Sequence, residues 1–273
     1  MKKKIIFLDI DGTLMDFHGE LPGSARQALL QARADGHRLV LCTGRLKAQI
    51  YRELLEMNFD GIVASAGAYV ECDGHEIYRH VSDLAPLNRL VDFFENTQTT
   101  YMLQTKKGVV MTKRSRDAMV RHFLDMGMTE EKMEKVMVAD VFLKEDLHDC
   151  PDVEKMAYYD APVSMEKVQA AIGDYFKVEG ASYKSGEGSN GEITCTGENK
   201  ATGLWRYVSH IGGDMADTVG IGDGPNDGEM LAETAVSIAM GNADDGLKAI
   251  ADFVTDDVDK DGLWKAFQWL KKI

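Results

Sequence analysis

Four short stretches of this 273-residue chain carry residue types and spacings that could do chemistry. The first is Asp9-Ile10-Asp11-Gly12-Thr13, where two carboxylates close an apolar run and a glycine follows at once. Charge at the end of a buried strand is costly unless something compensates it. In parallel α/β sheets, that end of a strand is also where ligands bind. The two-residue period of a strand points Asp9 and Asp11 to the same side. Read singly, Asp-Gly is equally a turn after a strand. The second stretch is Thr43-Gly44-Arg45, again after an apolar run. A hydroxyl, a glycine and a helix start together make a phosphate-binding corner. The same tripeptide also reads as a Thr N-cap with a permissive glycine.

The third candidate is Lys200, at the start of a helical pattern. A cation there opposes the helix macrodipole, and a bound anion would relieve it; a solvated lysine is the plainer reading. The fourth is Gly220-Ile221-Gly222-Asp223-Gly224-Pro225-Asn226-Asp227. Asp223 closes a strand, and Asn226 and Asp227 open a helix. Asp227 suits a first-turn acid favoured by the dipole. Two carboxylates and an amide this close together suit an oxygen-preferring hard cation better.

The elements that must position these residues follow from hydrophobic period. Ile5–Ile10, His37–Cys42 and Gly61–Ser65 read as strands, separated by helices over Pro22–Ala34 and Lys47–Met57. That alternation predicts a parallel sheet covered on both faces. It resumes late in the chain. Helices are expected over Ala201–Ile211, Asp227–Glu233, Asp244–Ala251 and Gly262–Lys271, with strands over Thr218–Ile221, Ala235–Met240 and Phe253–Thr255. All four candidate stretches then fall at strand ends or helix starts of one sheet, so they should converge on one edge.

The middle of the chain differs. Ala68–Cys72 and Glu76–Arg79 flank an Asp73-Gly74 hairpin signal. Helix-like segments follow at Asn88–Asn96, Ser115–Met126 and Met165–Ile172, with short strands at Tyr101–Thr105, Val109–Thr112 and Lys155–Tyr158. The expected fold is α/β: a Rossmann-like parallel-sheet core domain, residues 1–81 plus 190–273, with an inserted α+β domain over 82–189. Ser185–Gly191 reads as a flexible loop at the return crossing.

Composition limits the partners. The net charge is −14, and no basic run exceeds Lys2-Lys3-Lys4 or Lys271-Lys272. Phosphate contacts from clustered Lys and Arg supply most of nucleic-acid affinity. Nucleic acid and anionic membrane surfaces are therefore excluded, and any phosphate site must be made locally positive. The four cysteines show no CxxC spacing, which argues against zinc. The apolar run after Lys4 ends at Asp9, short of the ~7–15 residues of a signal peptide's apolar core, and nothing approaches the ~18 of a membrane span. The expected setting is the cytoplasm. With 8% aromatic residues, no exposed apolar patch is obvious and no oligomeric state is implied.

Taken in order, Asp9–Thr13, Thr43–Arg45, Lys200 and Gly222–Asp227 resemble the motifs of the haloacid dehalogenase superfamily of phosphatases. The tail from Asp223 is similar to the Cof-type subfamily, as is Glu192-Ile193. The place of the insertion matches the large α+β cap of subclass IIB. This resemblance implies a Mg²⁺-dependent phosphatase for a small phosphorylated metabolite, such as a sugar phosphate or phosphorylated cofactor. It implies Asp9 as nucleophile, forming an aspartyl-phosphate, and Asp11 as general acid and then base. Mg²⁺ would be held by Asp9, the backbone carbonyl of Asp11, and Asp223. Thr43, Gly44, Lys200 and Asn226 would bind the phosphoryl oxygens. Asp227 would hold a metal-bound water or orient its neighbours, Thr13 would brace the turn, and Arg45 faces either cap or substrate.

A phosphomutase of the same superfamily is an alternative. A binding regulator without turnover is another, though it would be expected to lack Asp9, Asp11 or Asp223. Two departures bear on substrate choice: Ser65-Ala66-Gly67-Ala68 where members often have Asn-Gly-Ala, and Thr194-Cys195-Thr196-Gly197 where they often have a proline. Gly186, Gly188 and Gly191 are expected to absorb a hinge rotation. Tyr183 and Lys184 are candidates for touching the leaving group, or simply cap surface.

Overall fold

The computed structural model describes residues 2–125, 127–129, 133, 139–180 and 189–273. In chain order its elements begin with β1 (Ile5–Leu8), α1 (Gly23–Ala34), β2 (Arg38–Cys42), α2 (Arg52–Leu55), β3 (Gly61–Ala64), β4 (Tyr69–Cys72) and β5 (His75–Arg79). Then come α3 (Leu84–Asn96), β6 (Thr100–Thr105), β7 (Gly108–Met111), α4 (Lys113–Asp125), β8 (Val141–Leu143), β9 (Val153–Ala161), α5 (Met165–Ile172), β10 (Phe176–Gly180) and β11 (Ser189–Cys195). The chain closes with α6 (Lys200–His210), β12 (Thr218–Gly222), α7 (Gly228–Glu233), β13 (Val236–Ala239), α8 (Asp245–Ile250), β14 (Phe253–Val254) and α9 (Gly262–Leu270).

These elements form two compact units. The first comprises Met1–Gly44, Arg52–Tyr78 and Asn199–Ile273, and the second Arg45–Tyr51 and Arg79–Glu198. The first is built on an eight-stranded sheet ordered β14-β13-β12-β1-β2-β3-β4-β5. From β14 to β3 every pairing is parallel, and β4 returns antiparallel to β3. The Asp73-Gly74 turn forms as expected, with positive φ at both residues (48° and 81°). The strands are near-continuous apolar runs because helices cover both faces. Phe7, Val40, Val63, Leu204, Tyr207 and Met230 meet in one buried cluster on one of those faces. The chain leaves β1 for β2 and β3 on one side, and returns to β12, β13 and β14 on the other. The carboxyl ends of β1 and β12 therefore lie at the topological switch point, where such sheets open a crevice.

The second unit is α+β, with a six-stranded sheet ordered β10-β11-β9-β6-β7-β8. On one face, Leu87, Leu90 and Phe94 of α3 and Val168 and Ile172 of α5 pack on Tyr101, Leu103, Met156, Tyr158 and Ile193. On the other, Met102, Val109, Met111, Ala157 and Tyr159 gather with Met119 of α4 and with Leu46.

Two local expectations fail. Lys47–Met57 is not one helix. A 3₁₀ turn over Lys47–Gln49 ends at Ile50, whose φ −72° and ψ 132° are extended, and only Arg52–Leu55 is α-helical. The i,i+4 spacing of Leu46, Ile50 and Leu54 looks helical, but Leu46 is claimed by the second unit's apolar cluster. Ser189–Gly191, expected in a loop, begins β11 and pairs with β9. Gly191 is accepted there because a Cβ would lie 2.6 Å from the Tyr158 ring. Ser185–Gly188, Tyr183 and Lys184 lie outside the described residues. Among the described residues, no helix is long and apolar enough to cross a membrane.

Candidate active site

Register builds the site. Leu8 pairs with Leu41 and with Ile221, so β1, β2 and β12 end level with one another. Their continuations, Asp9, Thr43 and Asp223, leave the sheet at the same edge. The Asp9 amide donates to Ile221 O at 3.0 Å and the Thr43 amide to Val63 O at 2.8 Å, which extends the ladder by one residue before the loops begin. After Asp9 the chain folds tightly, with Leu14 and Met15 amides both on Ile10 O. Gly12 takes φ +81°, and a Cβ there would fall 2.1 Å from Asp223 Oδ2. Only glycine fits this position, for backbone and for space.

Asp9, Asp223 and Asp227 converge, each offering an oxygen within 4.8 Å of the others. Asp9 is 6% exposed, Asp227 0% and Lys200 1%. Lys200 Nζ donates to Asp9 Oδ1 and to Asp227 Oδ1, both at 2.6 Å. Asn199 caps α6, accepting from the Thr202 amide at 2.8 Å, and so fixes the turn that aims this lysine. Asp227 is fully engaged. Its Oδ2 accepts the amides of Asp223 and Gly224 at 3.0 and 2.9 Å. Asp227 thus links Lys200 to the backbone of the loop that carries Asp223.

Three carboxylates with one lysine leave excess negative charge out of water. Burial first, then the neighbouring Asp227, pushes the Asp9 carboxyl well above its usual range, with Lys200 working against both. Asp223 is pushed up to about 7 by burial and by Asp227. Burial would lower the Lys200 ammonium, but Asp227 and Asp9 outweigh it and its pKa rises. A divalent cation relieves such crowding, and a donor set of oxygens alone suits a hard one. The residues fit a metal site of that kind.

The remaining predicted residues are placed as follows. The Asp11 side chain is exposed and outside the trio. Thr13 is fully buried, its Oγ1 on Asp223 Oδ1 at 3.4 Å. Thr43 is buried and Gly44 half-buried at the end of β2, and Asn226 is half-buried in the turn opening α7. Arg45 belongs to the second unit, where Nη1 donates to Gln49 O at 3.0 Å and its guanidinium lies 4.4 Å from the Tyr51 ring centre. Sequence reasoning passed over Asn242. Its Nδ2 donates to Asp223 Oδ2 at 3.0 Å and to Gly12 O at 2.9 Å. The signal was a lone Asn in a Gly-Asn-Ala-Asp turn after a strand, which turn chemistry alone accounts for.

A parallel sheet with a lysine-bridged carboxylate cluster at its switch point, and a separate α+β unit inserted in the chain, define a class of hydrolase. The chain matches the haloacid dehalogenase-like hydrolase family over residues 6–267 and belongs to it. It is a phosphatase of that family. A subclass IIB sugar phosphatase of the haloacid dehalogenase superfamily superposes with a TM-score of 0.84 at 28% identity, over 99% of this chain and 100% of its own. YkrA of Bacillus subtilis (strain 168) is 27% identical over 268 residues, 96% of each chain. The 5-amino-6-(5-phospho-D-ribitylamino)uracil phosphatase YcsE of the same organism is 24% identical over 265 residues, 97% of this chain and 94% of its own.

Proposed function

We propose that this protein is a cytoplasmic, Mg²⁺-dependent phosphomonoesterase for small phosphorylated metabolites, sugar phosphates or phosphorylated cofactors, with Asp9 as its nucleophile. The observation that carries the reading is the buried cluster in which one lysine bridges Asp9 and Asp227 beside Asp223. Relatives named for a sugar phosphate and for a phosphorylated ribitylaminouracil support the substrate class. The four cysteines are all free thiols, which suits a reducing compartment.

Asp9 and Asp223 would hold Mg²⁺, with the backbone carbonyl of Asp11. The cation would offset charge on the phosphoryl oxygens. Lys200 fixes the Asp9 carboxylate through Oδ1 and, with Thr43, Gly44 and Asn226, binds the phosphoryl group. An Asp9 oxygen attacks phosphorus, forming the O–P bond of an aspartyl-phosphate as the bond to the leaving oxygen breaks. Asp11, exposed and able to reach solvent or substrate, gives that oxygen its proton. It then takes a proton from the water that attacks phosphorus, which frees Asp9 and releases inorganic phosphate. Thr13 braces the turn after β1, Arg45 braces its own segment, and the inserted residues 82–189 choose the leaving group.

The test is phosphate release from a panel of phosphorylated metabolites. Activity should vanish in excess EDTA, return with Mg²⁺, and fall at least ~10³-fold in Asp9→Asn, since an amide cannot attack phosphorus. Turnover near wild type in Asp9→Asn would remove Asp9 from this role, and undiminished activity without metal would remove Mg²⁺.

A further inference from the structure

We propose that Asn242 is a positioning residue that orients the Asp223 carboxylate for divalent-cation binding. The inference rests on the metal reading above and concerns a residue outside the motif positions.

The terminal torsion of an Asp side chain is broad, so its rotamer alone does not set the plane of the carboxylate. Thr13 reaches Asp223 Oδ1 only at 3.4 Å, too long to set it firmly. The short contact is from Asn242 Nδ2 to Asp223 Oδ2, at 3.0 Å. The same nitrogen reaches Gly12 O at 2.9 Å. An amide has two N–H groups, so both acceptors are served at once. The Asn242 Oδ1 accepts the Val258 amide at 2.8 Å. These three partners leave one orientation for the side chain, because a flipped amide would set oxygen against a carbonyl and a carboxylate.

The backbone beneath Asn242 is pinned as well. Met240 N donates to Gly222 O and Gly241 N to Asp256 O, both at 3.0 Å. A Cβ on Gly241 would meet the Asp257 amide at 2.5 Å, so this turn accepts glycine for space. Asn242 is thus a rigid donor tying the loop after β1 to the loop after β12. Occupying Oδ2 directs Oδ1 of Asp223 toward a cation. Groups that orient metal ligands in this way typically cost 10–100-fold in metal affinity when removed.

The other role open to Asn242 is to brace the Val258 loop. The two separate by measurement. Metal-stripped wild type, Asn242→Ala and Asn242→Ser are titrated with Mg²⁺ alone, reading binding heat and the Mg²⁺-dependent rise in melting temperature. The expected result is a Mg²⁺ Kd at least ~10-fold weaker in both variants, the serine hydroxyl being too short to span the two acceptors. A lower metal-free melting temperature with an unchanged Kd would make Asn242 a loop brace and overturn the proposal. Should Asn242→Ala fail to fold, the serine variant decides in the same way. Wild type that hydrolyses phosphate esters yet shows no saturable Mg²⁺ binding would overturn the metal reading itself, a separate result from a variant that matches wild type.

Discussion

Asp9 is held in a setting that disfavours its own charge. It lies buried beside Asp227 and Asp223, with Lys200 as the one cation bonded to it among the described residues. Its raised pKa is then a statement about stability. The unfolded carboxyl titrates near its ordinary value of ~3.9, and the folded one well above it. Below the unfolded pKa, both states are protonated and nothing is lost. As pH rises through the folded pKa, the fold must hold an ion that water would hold better, and stability falls. Metal-free Asp9→Asn should therefore be more stable than metal-free wild type at pH 8, by about 1–2 kcal/mol. The difference should shrink toward pH 4. The asparagine carbonyl still accepts from Lys200, so the bridge survives the change. Chemical denaturation across this pH range in EDTA checks the prediction, and a variant less stable than wild type at pH 8 would refute it.

At the scale of elements, the Ser65–Gly67 turn after β3 carries a cost of its own. Ser65, Ala66 and Gly67 take φ of 52°, 51° and 97° in succession. Gly67 has no alternative, since a Cβ would meet Asn199 O at 2.0 Å. The left-handed region costs non-glycine residues roughly 1–2 kcal/mol each, with asparagine the common exception. The departure from Asn-Gly-Ala noted in the sequence therefore falls where asparagine and glycine would be least strained. The turn holds its shape because the Ala66 amide donates to Thr43 O at 3.1 Å, which also supports the end of β2. Ala66→Gly should stabilise the protein by about 1 kcal/mol, read as a shifted denaturation midpoint at constant m-value. No gain would mean that the turn's hydrogen bonds, not residue choice, set its conformation.

Legibility at this scale followed contrast. Asp9 and Asp223 stood out as charges ending apolar strands, and β1, β2, β3, β12 and β13 as the strands themselves. Asn242 had no such contrast, being one polar residue in a turn. The α2 segment misled because helical spacing does not reveal which unit claims each apolar side chain. Strands β8 and β11 passed unread because Val-Phe-Leu and Ser-Asn-Gly-Glu-Ile-Thr-Cys lack a clear two-residue period, and β10 because its alternation, Phe-Lys-Val-Glu, holds only two apolar residues before a glycine.

For the molecule as a whole, the chain passes between its compact units four times, at Gly44/Arg45, Tyr51/Arg52, Tyr78/Arg79 and Glu198/Asn199. The last two enclose the long insertion. The first two set apart a seven-residue segment, Arg45–Tyr51, that follows Thr43 and Gly44 directly. Its anchor is Leu46, fully buried among Met102, Val109, Met111, Met119, Ala157 and Tyr159. Arg45 is tied to the same segment through Gln49 and Tyr51. Whatever loosens Leu46 is therefore felt one residue from the proposed phosphate-binding corner, through the covalent chain alone. Leu46→Ala removes a buried side chain and should destabilise the second unit by about 2–4 kcal/mol. It should also weaken inhibition by inorganic phosphate several-fold, by releasing the loop that holds Thr43 and Gly44. Melting curves and the phosphate inhibition constant, measured on the same preparation, separate the two effects. A lower melting temperature with an unchanged inhibition constant would show that the segment fills the second unit's core without setting the geometry of the phosphate corner.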